Sequence, residues 1–448
     1  MDQPQLPIEM PQCEGVRTAS VARPEDLRVR RPVRNQAEMM VRDLESLIAD
    51  DHPVRALWAF LEALDIADFY RSIKAAIDRP GRPASDPRVL LALWVYATTE
   101  GVSSARWLDR LCKEHDAYRW LCGGVSVDYH MLSDFRVAHR EALDRLLTQI
   151  VALLMHHELV TLKAVAHDGV RVRASAGASS FRRCGSLEGC LAEAAERVKR
   201  LTKEREHPDP GVNRRQQAAK ERAARERAER VQEALRQLPR VQAAKKRQKH
   251  SLNKRRQEKI TEARVSTTDP EARVMKMPDG GWRPAYNVQL ATDVPSGVVV
   301  AASVVNRGND WGEAPPMEAE VAERYGKHPE AYLVDGGFAQ RETIDELTER
   351  KVAVYAPVWP PRTTTSGRTW SDPMSGDSPA VLAWRQRMQT KEAKETYKLR
   401  AATAEWANAQ LRRHGLLPFT VRGLGKVTAV VLLVAVVHNI LRALALTP

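Results

Sequence analysis

The chain has 448 residues, which exceeds the usual size of one hydrophobic core and allows two or three domains. Its formal net charge of +13 favours a polyanionic partner, either nucleic acid or an acidic membrane surface. Residues 196–264 hold 23 Lys or Arg and 10 Asp or Glu, so the rest of the chain is formally neutral. The five cysteines form no CxxC pair and indicate reduced thiols of a cytoplasmic protein, so we assign no zinc site.

The first 155 residues predict a short lead and a helical domain. The first 15 residues lack the basic region and apolar core of a signal peptide, and we expect residues 1–35 to form a disordered lead. From residue 36 to 155, apolar residues recur at helical spacing, which predicts an all-helical domain. Proline and glycine interrupt this pattern in Asp78–Pro87, where Asp86 and Pro87 are placed as N-cap and first residue of the next helix.

Residues 156–448 predict a mixed α/β domain that begins with a strand. Alternation in Leu162–Ala174 indicates this strand and puts Asp168 at its middle. A basic helical insertion follows at residues 185–265, in which Pro239 is one of the prolines expected to divide two or three helices. Two roles stay open for the insertion, a solvated helical hairpin or a direct contact with DNA.

The predicted order after the insertion is hairpin, helix, strand, helix, strand. The segments are Ala285–Val305, Ala314–Tyr325, Ala331–Phe338, Glu342–Arg350 and Val352–Val358. A polar loop, Pro360–Ser378, leads to helical stretches at Ala380–Arg413 and Leu424–Leu446. The apolar run Val427–Val437 is shorter than the roughly 20 residues of a membrane span, so it predicts a buried helix.

Two carboxylates stand at strand positions that suit chemistry. Asp168 lies within an apolar strand, where a carboxylate needs a partner or a metal ion. Asp335 ends a buried strand and is followed by Gly336 and Gly337, which allow a tight exit. Either one by itself also fits ordinary turn or strand chemistry. Together, on neighbouring strands, they could hold hard divalent cations for phosphoryl transfer.

A third carboxylate is expected in the helical segment 391–413. The candidates are Glu392, Glu395 and Glu405. Glu405 lies seven residues before Arg412, which puts the two side chains on nearly the same helix face. A carboxylate beside a cation suits a metal-and-phosphate site, and the same spacing fits an ordinary surface pair.

At these residues the chain resembles the bacterial insertion-sequence transposases with a DDE catalytic triad. Ala166–Gly169 is similar to the segment around the first aspartate of that family, and Val334–Phe338 to the segment around the second. The family has a Tyr, Arg, Glu, Lys signature around its third acidic residue, which is similar to Tyr397, Arg400, Glu405 and Arg412. The N-terminal helical region resembles the domain that precedes the catalytic core in this group. The resemblance covers residues 35–445.

The resemblance implies an RNase H-like catalytic core with a mixed sheet. It implies that Asp168, Asp335 and Glu405 are the catalytic residues and hold Mg²⁺ or Mn²⁺, with two ions expected. The residues expected to contact DNA phosphates are Tyr397, Arg400 and Arg412. The implied activity is cleavage at transposon ends and strand transfer into target DNA. The implied partners are double-stranded DNA with terminal inverted repeats and a second copy of the chain, with no membrane.

The chain also departs from the family pattern. Arg412 replaces the usual Lys, and the gap from Arg400 to Glu405 is one residue longer than usual. In a straight helix Arg400 points away from Glu405. Two rival functions therefore stay open, a catalytically dead, transposase-derived DNA-binding protein and an RNase H-like nuclease that hydrolyses without joining.

Overall fold

The computed structural model describes residues 41–75, 83–206, 213–250, 262–358, 372–416 and 418–447. The predicted disordered lead and most of the predicted loop after Pro360 lie outside these residues. From residue 44 onward the chain belongs to one compact unit. The helices and the sheet described below are therefore parts of the same body.

The N-terminal part is helical, as predicted. Its helices are α1 (Pro53–Ala63), α2 (Ala67–Tyr70), α3 (Pro87–Thr99), α4 (Ala105–Glu114), α5 (Asp116–Cys122), α6 (Tyr129–Ala138) and α7 (Arg140–His156). The predicted cap is confirmed, because the Asp86 side chain accepts from Arg88 N and Pro87 is the first residue of α3. Helix α3 is buried along almost its whole length and forms the centre of this part.

The sheet that follows has six strands of mixed direction. They are β1 (Ala164–Arg173), β4 (Arg273–Lys276), β5 (Trp282–Asp293), β6 (Val299–Val305), β7 (Ala331–Leu333) and β8 (Ala353–Tyr355). Strand β1 is central, since β5 pairs with it antiparallel and β7 pairs with it parallel. Strand β8 continues parallel to β7, while β4 and β6 pair with successive parts of β5.

The predicted order of hairpin, helix, strand, helix, strand is confirmed by β5 and β6, α10 (Ala314–Tyr325), β7, α11 (Arg341–Glu349) and β8. The predicted strand Ala331–Phe338 is too long, because β7 ends at Leu333 and a turn follows. Val334 and Phe338 are nevertheless fully buried, so the apolar pattern reflects burial beyond the strand.

An inserted hairpin leaves the sheet after β1 and returns before β4. It consists of α8 (Cys184–Glu206) and α9 (Arg214–His250), and the short antiparallel strands β2 (Phe181–Arg182) and β3 (Val265–Ser266) close its base. The prediction that Pro239 divides the helices is wrong, because α9 continues through it. Leu238 and Val241, on either side of this proline, pack on the small apolar cluster at the hairpin base, and this packing offsets the lost hydrogen bond.

The C-terminal part is helical and covers one face of the sheet. The predicted stretch Ala380–Arg413 is two helices, α12 (Pro379–Arg387) and α13 (Lys391–Arg413), because Thr390 caps the second. Helix α14 (Leu424–Leu446) is long and apolar enough to cross a membrane by composition, yet most of it is buried inside the protein. Its Asn439 side chain bonds both backbone groups of Val299 in β6, at 2.9 and 2.7 Å. The predicted buried helix is therefore confirmed.

Candidate active site

Asp168 lies at the middle of β1, on the face of the sheet that carries α13. Side chains alternate along a strand, so Asp168 and Val170 point to one face and His167 and Gly169 to the other. The Asp168 side chain is 19% exposed, and the strands on both sides of it exclude most of the solvent. A carboxylate is thus presented from a rigid strand beneath a helix.

Asp335 follows the end of β7, the strand that pairs with β1 beside Asp168. The parallel register pairs Ala166 with Leu333, and Asp168 and Asp335 each come two residues later. The chain stays extended beyond β7, since Val334 N still donates to Tyr355 O of β8 at 3.0 Å. Neighbouring strands are about 4.8 Å apart, so the two carboxylates lie side by side on the same face of the sheet. The influence of the Asp335 charge on the pKa of Asp168 agrees with this proximity.

The glycines after Asp335 have a specific geometric role. Gly337 N donates to Asp335 Oδ1 at 2.7 Å, which fixes the carboxylate at the strand exit. A Cβ added at Gly337 would stand 2.9 Å from the same oxygen, closer than real Cβ contacts. The predicted tight exit is confirmed, and its cause is this short backbone-to-carboxylate contact.

Helix α13 supplies two side-chain hydrogen bonds to the Asp168 carboxylate. Arg400 Nη2 donates to Asp168 Oδ1 at 2.8 Å, and Asn408 Nδ2 donates to Oδ2 at 2.8 Å. Eight residues are slightly more than two helical turns, so Arg400 and Asn408 present neighbouring positions on one face. Sequence reasoning missed Asn408, which this spacing from Arg400 could have indicated.

The electrostatics of the site join four side chains. Burial raises the pKa of Asp168, Arg400 opposes the shift, and Asp335 adds to it as a like charge. The Asn408 hydrogen bond and the Gly169 N–H lower the pKa again. Burial also raises the pKa of Tyr397, which lies near Arg400 and both aspartates. Tyr397, Arg400, Asp168 and Asp335 are therefore one electrostatic cluster.

Glu405 and Arg412 lie outside this cluster. Both are exposed on α13, and they share a helix face as the spacing predicted. Glu405 follows Arg400 by five residues, which turns it about 140° around the helix axis from Arg400. Ala404, which lies between the directions of Arg400 and Asn408, is buried. Glu405 as the third carboxylate therefore stays a prediction.

The other third-carboxylate candidates are exposed as well. Glu392 is in the first turn of α13, and Glu395 pairs with Lys398 at 2.7 Å. Within the part of the chain that the structure describes, no group of three or more His, Cys, Asp or Glu side chains could hold a metal ion.

Asp168 and Asp335 suit a hard cation as a pair. Each oxygen of Asp168 accepts one hydrogen bond from α13, and an ionised carboxylate has about four lone-pair sites. The repulsion that raises the pKa of Asp168 is relieved by a positive charge between the two carboxylates. Oxygen ligands of this kind are those that Mg²⁺ and Mn²⁺ prefer.

A buried polar network supports β1 from the opposite face. His167 bonds Gln289 Oε1 at 2.8 Å and Tyr332 OH at 2.9 Å, and Gln289 Nε2 donates to Asp310 Oδ1 at 2.9 Å. A Cβ on Gly169 would stand 2.2 Å from Asp310 Oδ1. Burial lowers the pKa of His167 to about 4, so the imidazole is neutral at pH 7. No sequence pattern indicated this network, because its members come from four separate segments.

Two family models match the chain. Residues 42–138 match a transposase domain (DUF772), and residues 378–444 match a transposase DDE domain. The chain is an insertion-sequence transposase of the DDE type. The second match contains α13 of this transposase, with Arg400, Glu405 and Asn408, whereas Asp168 and Asp335 lie between the two matched ranges.

The earlier resemblance is confirmed at the level of the family. The first match covers helices α1–α6 of the N-terminal part, and the second covers α12–α14. No curated protein and no solved structure was found to match the transposase. The evidence for the role of each residue therefore comes from the geometry of the site.

Proposed function

We propose that this transposase cleaves DNA at transposon ends and joins the freed end to target DNA, with Asp168, Asp335 and Glu405 as its catalytic carboxylates. The observation that carries the proposal is the placement of the two aspartates, each two residues after Ala166 and Leu333, which pair on neighbouring parallel strands. They are close enough for the Asp335 charge to raise the pKa of Asp168. It supports a site in which two carboxylates act on one phosphodiester group.

The sheet order supports an RNase H-like core. A central strand β1 has antiparallel strands on one side and parallel strands on the other, and the carboxylates stand on β1 and at the end of β7. The proposed domains are the helical part at residues 36–155 and the catalytic part at 156–448, interrupted by the insertion at 185–265.

Asp168 and Asp335 would hold Mg²⁺ or Mn²⁺ ions, with two ions proposed and Glu405 as the third ligand. Bound divalent ions supply an activated attacking oxygen and stabilise the leaving oxygen of the phosphodiester. The residues of the chain position these groups and exclude water around them. Arg400 and Asn408 fix the orientation of the Asp168 carboxylate.

Arg400 also has a donor left for DNA. Its Nε is buried and has no hydrogen-bond partner among the residues that the structure describes. A small shift of the Arg400 side chain on DNA binding would let a phosphate oxygen satisfy this donor. Tyr397 and Arg412, on other turns of α13, would contact phosphates further along the DNA. Arg412 does so as a planar fork, since a guanidinium matches two phosphate oxygens.

The proposed partner is double-stranded DNA, as terminal inverted repeats and as target, bound by a homodimer on paired ends. We place this activity in the cytoplasm, on nucleoid DNA. A catalytically dead DNA-binding protein is the second candidate, because Glu405 stands outside the carboxylate cluster. A nuclease that does not join is the third.

The experiment uses the full chain, Mg²⁺ and a DNA fragment with the terminal repeats that flank its gene. We expect cut and joined products from the wild type, and loss of both in Asp335→Asn while DNA binding persists. Glu405→Gln should lose them too, whereas Glu395→Gln, an exposed glutamate on the same helix, should keep them.

Each other outcome has a defined meaning. Equal activity in Glu405→Gln and Glu395→Gln removes Glu405 from the triad. DNA binding with no metal-dependent cleavage supports the dead protein, and cutting without joining supports the nuclease.

A further inference from the structure

The positive charge of the inserted hairpin is carried by one of its two helices. Helix α8 contains five Lys or Arg and five Glu, so it is formally neutral. Helix α9 contains 13 Lys or Arg and four Glu. A solvated hairpin needs no such asymmetry, since neutral α8 is equally exposed to water.

A groove of about 910 Å³ runs between the two helices. Small residues form much of its walls, which leaves room between the helix backbones. These residues are Ala192, Ala194, Ala223 and Ala224. The cations that line the groove are Arg197 and Arg200 from α8 and Lys220, Arg227 and Arg230 from α9. Against these five stand two carboxylates, Glu193 and Glu196.

Three of the five cations are exposed and unneutralised. No carboxylate lies within 4 Å of Arg197, Lys220 or Arg227 in the described ranges of the chain. Glu196, which also lines the groove, is paired with Lys199 at 3.1 Å. The groove therefore has free positive charge available to an anion.

The remaining two cations are only loosely paired. Arg200 and Arg230 reach their glutamates at 3.8 Å, near the limit for an ion pair. Burial lowers the pKa of Arg230, and the nearby Arg422 guanidinium adds to the shift. Arg422 belongs to the loop before α14, so Arg230 lies where the groove approaches the core.

Elsewhere in the same hairpin, arginines have a structural role. Arg205 and Arg225 both pair with Glu221, whose side chain is 4% exposed. This buried glutamate joins α8 to α9 near their connection. The hairpin thus contains neutralised cations that hold the helices together and unneutralised cations in the groove.

The spacing of the free cations suits a phosphate chain. Lys220 and Arg227 are seven residues apart on α9, a rise of about 10.5 Å at 1.5 Å per residue. One DNA strand advances about 3.4 Å along the duplex axis per phosphate, so this rise spans about three phosphates. Arg197 faces them from α8.

We propose that the groove between α8 and α9 binds the phosphate backbone of duplex DNA without reading its sequence. The contact depends on the proposed function only in that DNA is the substrate of the transposase. It does not involve Asp168, Asp335 or a metal ion, so it can be tested in their absence.

The test is the salt dependence of the Kd for duplex DNA, measured with the full chain and without divalent ions. The variant carries Arg197→Gln, Lys220→Gln and Arg227→Gln. Each lost phosphate contact should reduce the slope of log K against log salt by about 0.9, or about 2.7 for three. The expected slope is therefore clearly shallower, with weaker binding at low salt.

A matched variant removes three cations that are already paired. Lys113, Arg236 and Arg283 each have a carboxylate oxygen within hydrogen-bond distance, and none of them pairs with a residue that lines the groove. Changing all three to Gln removes the same charge, and we expect the slope to change by less than about one unit. Circular dichroism checks that both variants retain their helices.

Several results would overturn the proposal. A wild-type slope in the groove variant, or an equal fall in the matched variant, excludes a specific role for the groove. Loss of duplex RNA binding with unchanged DNA binding assigns the groove to another partner. By contrast, a wild-type protein that binds DNA through the groove but never cuts it contradicts the proposed function and supports DNA binding by the groove.

Discussion

The sheet core and the inserted hairpin differ in how their charged side chains are buried and paired. In the core, Asp168 is largely buried and each of its oxygens has a donor at 2.8 Å from α13. In the hairpin, Lys220 and Arg227 are exposed and lack carboxylate partners in the described part of the chain. The core fixes the geometry of a few charges, and the hairpin leaves many charges accessible.

This contrast follows from what each region has to do. Chemistry on a phosphodiester depends on groups held in place before the substrate arrives, in a site with little water. Affinity for a polyanion depends on the number of phosphates that cations neutralise, and it tolerates loose geometry. A DNA-processing enzyme needs both, and this transposase separates them along its chain.

The largest expected effect is that a variant of the core and a variant of the hairpin change different measurements. Asp335→Asn should reduce the cleavage rate by on the order of 10³-fold or more and leave the salt slope of DNA binding unchanged. The groove variant should show the reverse, with a shallower slope and cleavage restored at saturating protein. If either variant changed both measurements equally, the two regions would not be separate in function.

One glycine in the core and one in the hairpin should affect the free energy of unfolding in opposite directions. Gly169→Ala puts a Cβ at 2.2 Å from Asp310 Oδ1, so we expect the free energy of unfolding to fall by about 1–3 kcal/mol. Gly189→Ala lies in α8, where a Cβ meets nothing within 4 Å, and should raise helix stability by about 0.5–1 kcal/mol. Urea denaturation measures both. The two changes in the free energy of unfolding should have opposite signs. An unchanged free energy of unfolding in Gly169→Ala would show that Asp310 can move away from the added Cβ without cost.

The smallest effect concerns the pH dependence of the site. The Asn408 hydrogen bond lowers the pKa of Asp168, so Asn408→Ala should raise it further. Activity that needs the ionised carboxylate is lost as pH falls, and this loss should begin at a higher pH in the variant than in the wild type. The pH profile of cleavage measures the shift. Gln410→Ala removes a half-buried amide of the same helix that lines a separate pocket, and it should leave the profile in place.

The sequence predicted the elements that carry the site better than their contacts. Alternation in β1 and the glycines after β7 were sufficient to find Asp168 and Asp335, because both signals are local. The end of β7 was missed, since Val334 and Phe338 are buried outside any strand. Thr390 was not recognised as a cap within a segment of strong helix formers.

Contacts between distant segments could not be predicted. Asn408 meets Asp168 across 240 residues, and Gln289 meets His167 across 122. The rotation of α13 over the sheet decides whether Asn408 or Glu405 faces the carboxylates, and helical periodicity fixes only their relative angle. Packing of α13 against β1 sets that rotation, and a single sequence does not contain it.

The two strand carboxylates are tested most directly by Mn²⁺ binding to the full chain without DNA, measured by electron paramagnetic resonance. Wild type and the groove variant are expected to bind Mn²⁺ with the same affinity. Asp168→Asn and Asp335→Asn should each weaken binding by about tenfold or more, since each removes a ligand. Unchanged Mn²⁺ affinity in Asp335→Asn would contradict the claim that these two strand carboxylates form the metal site.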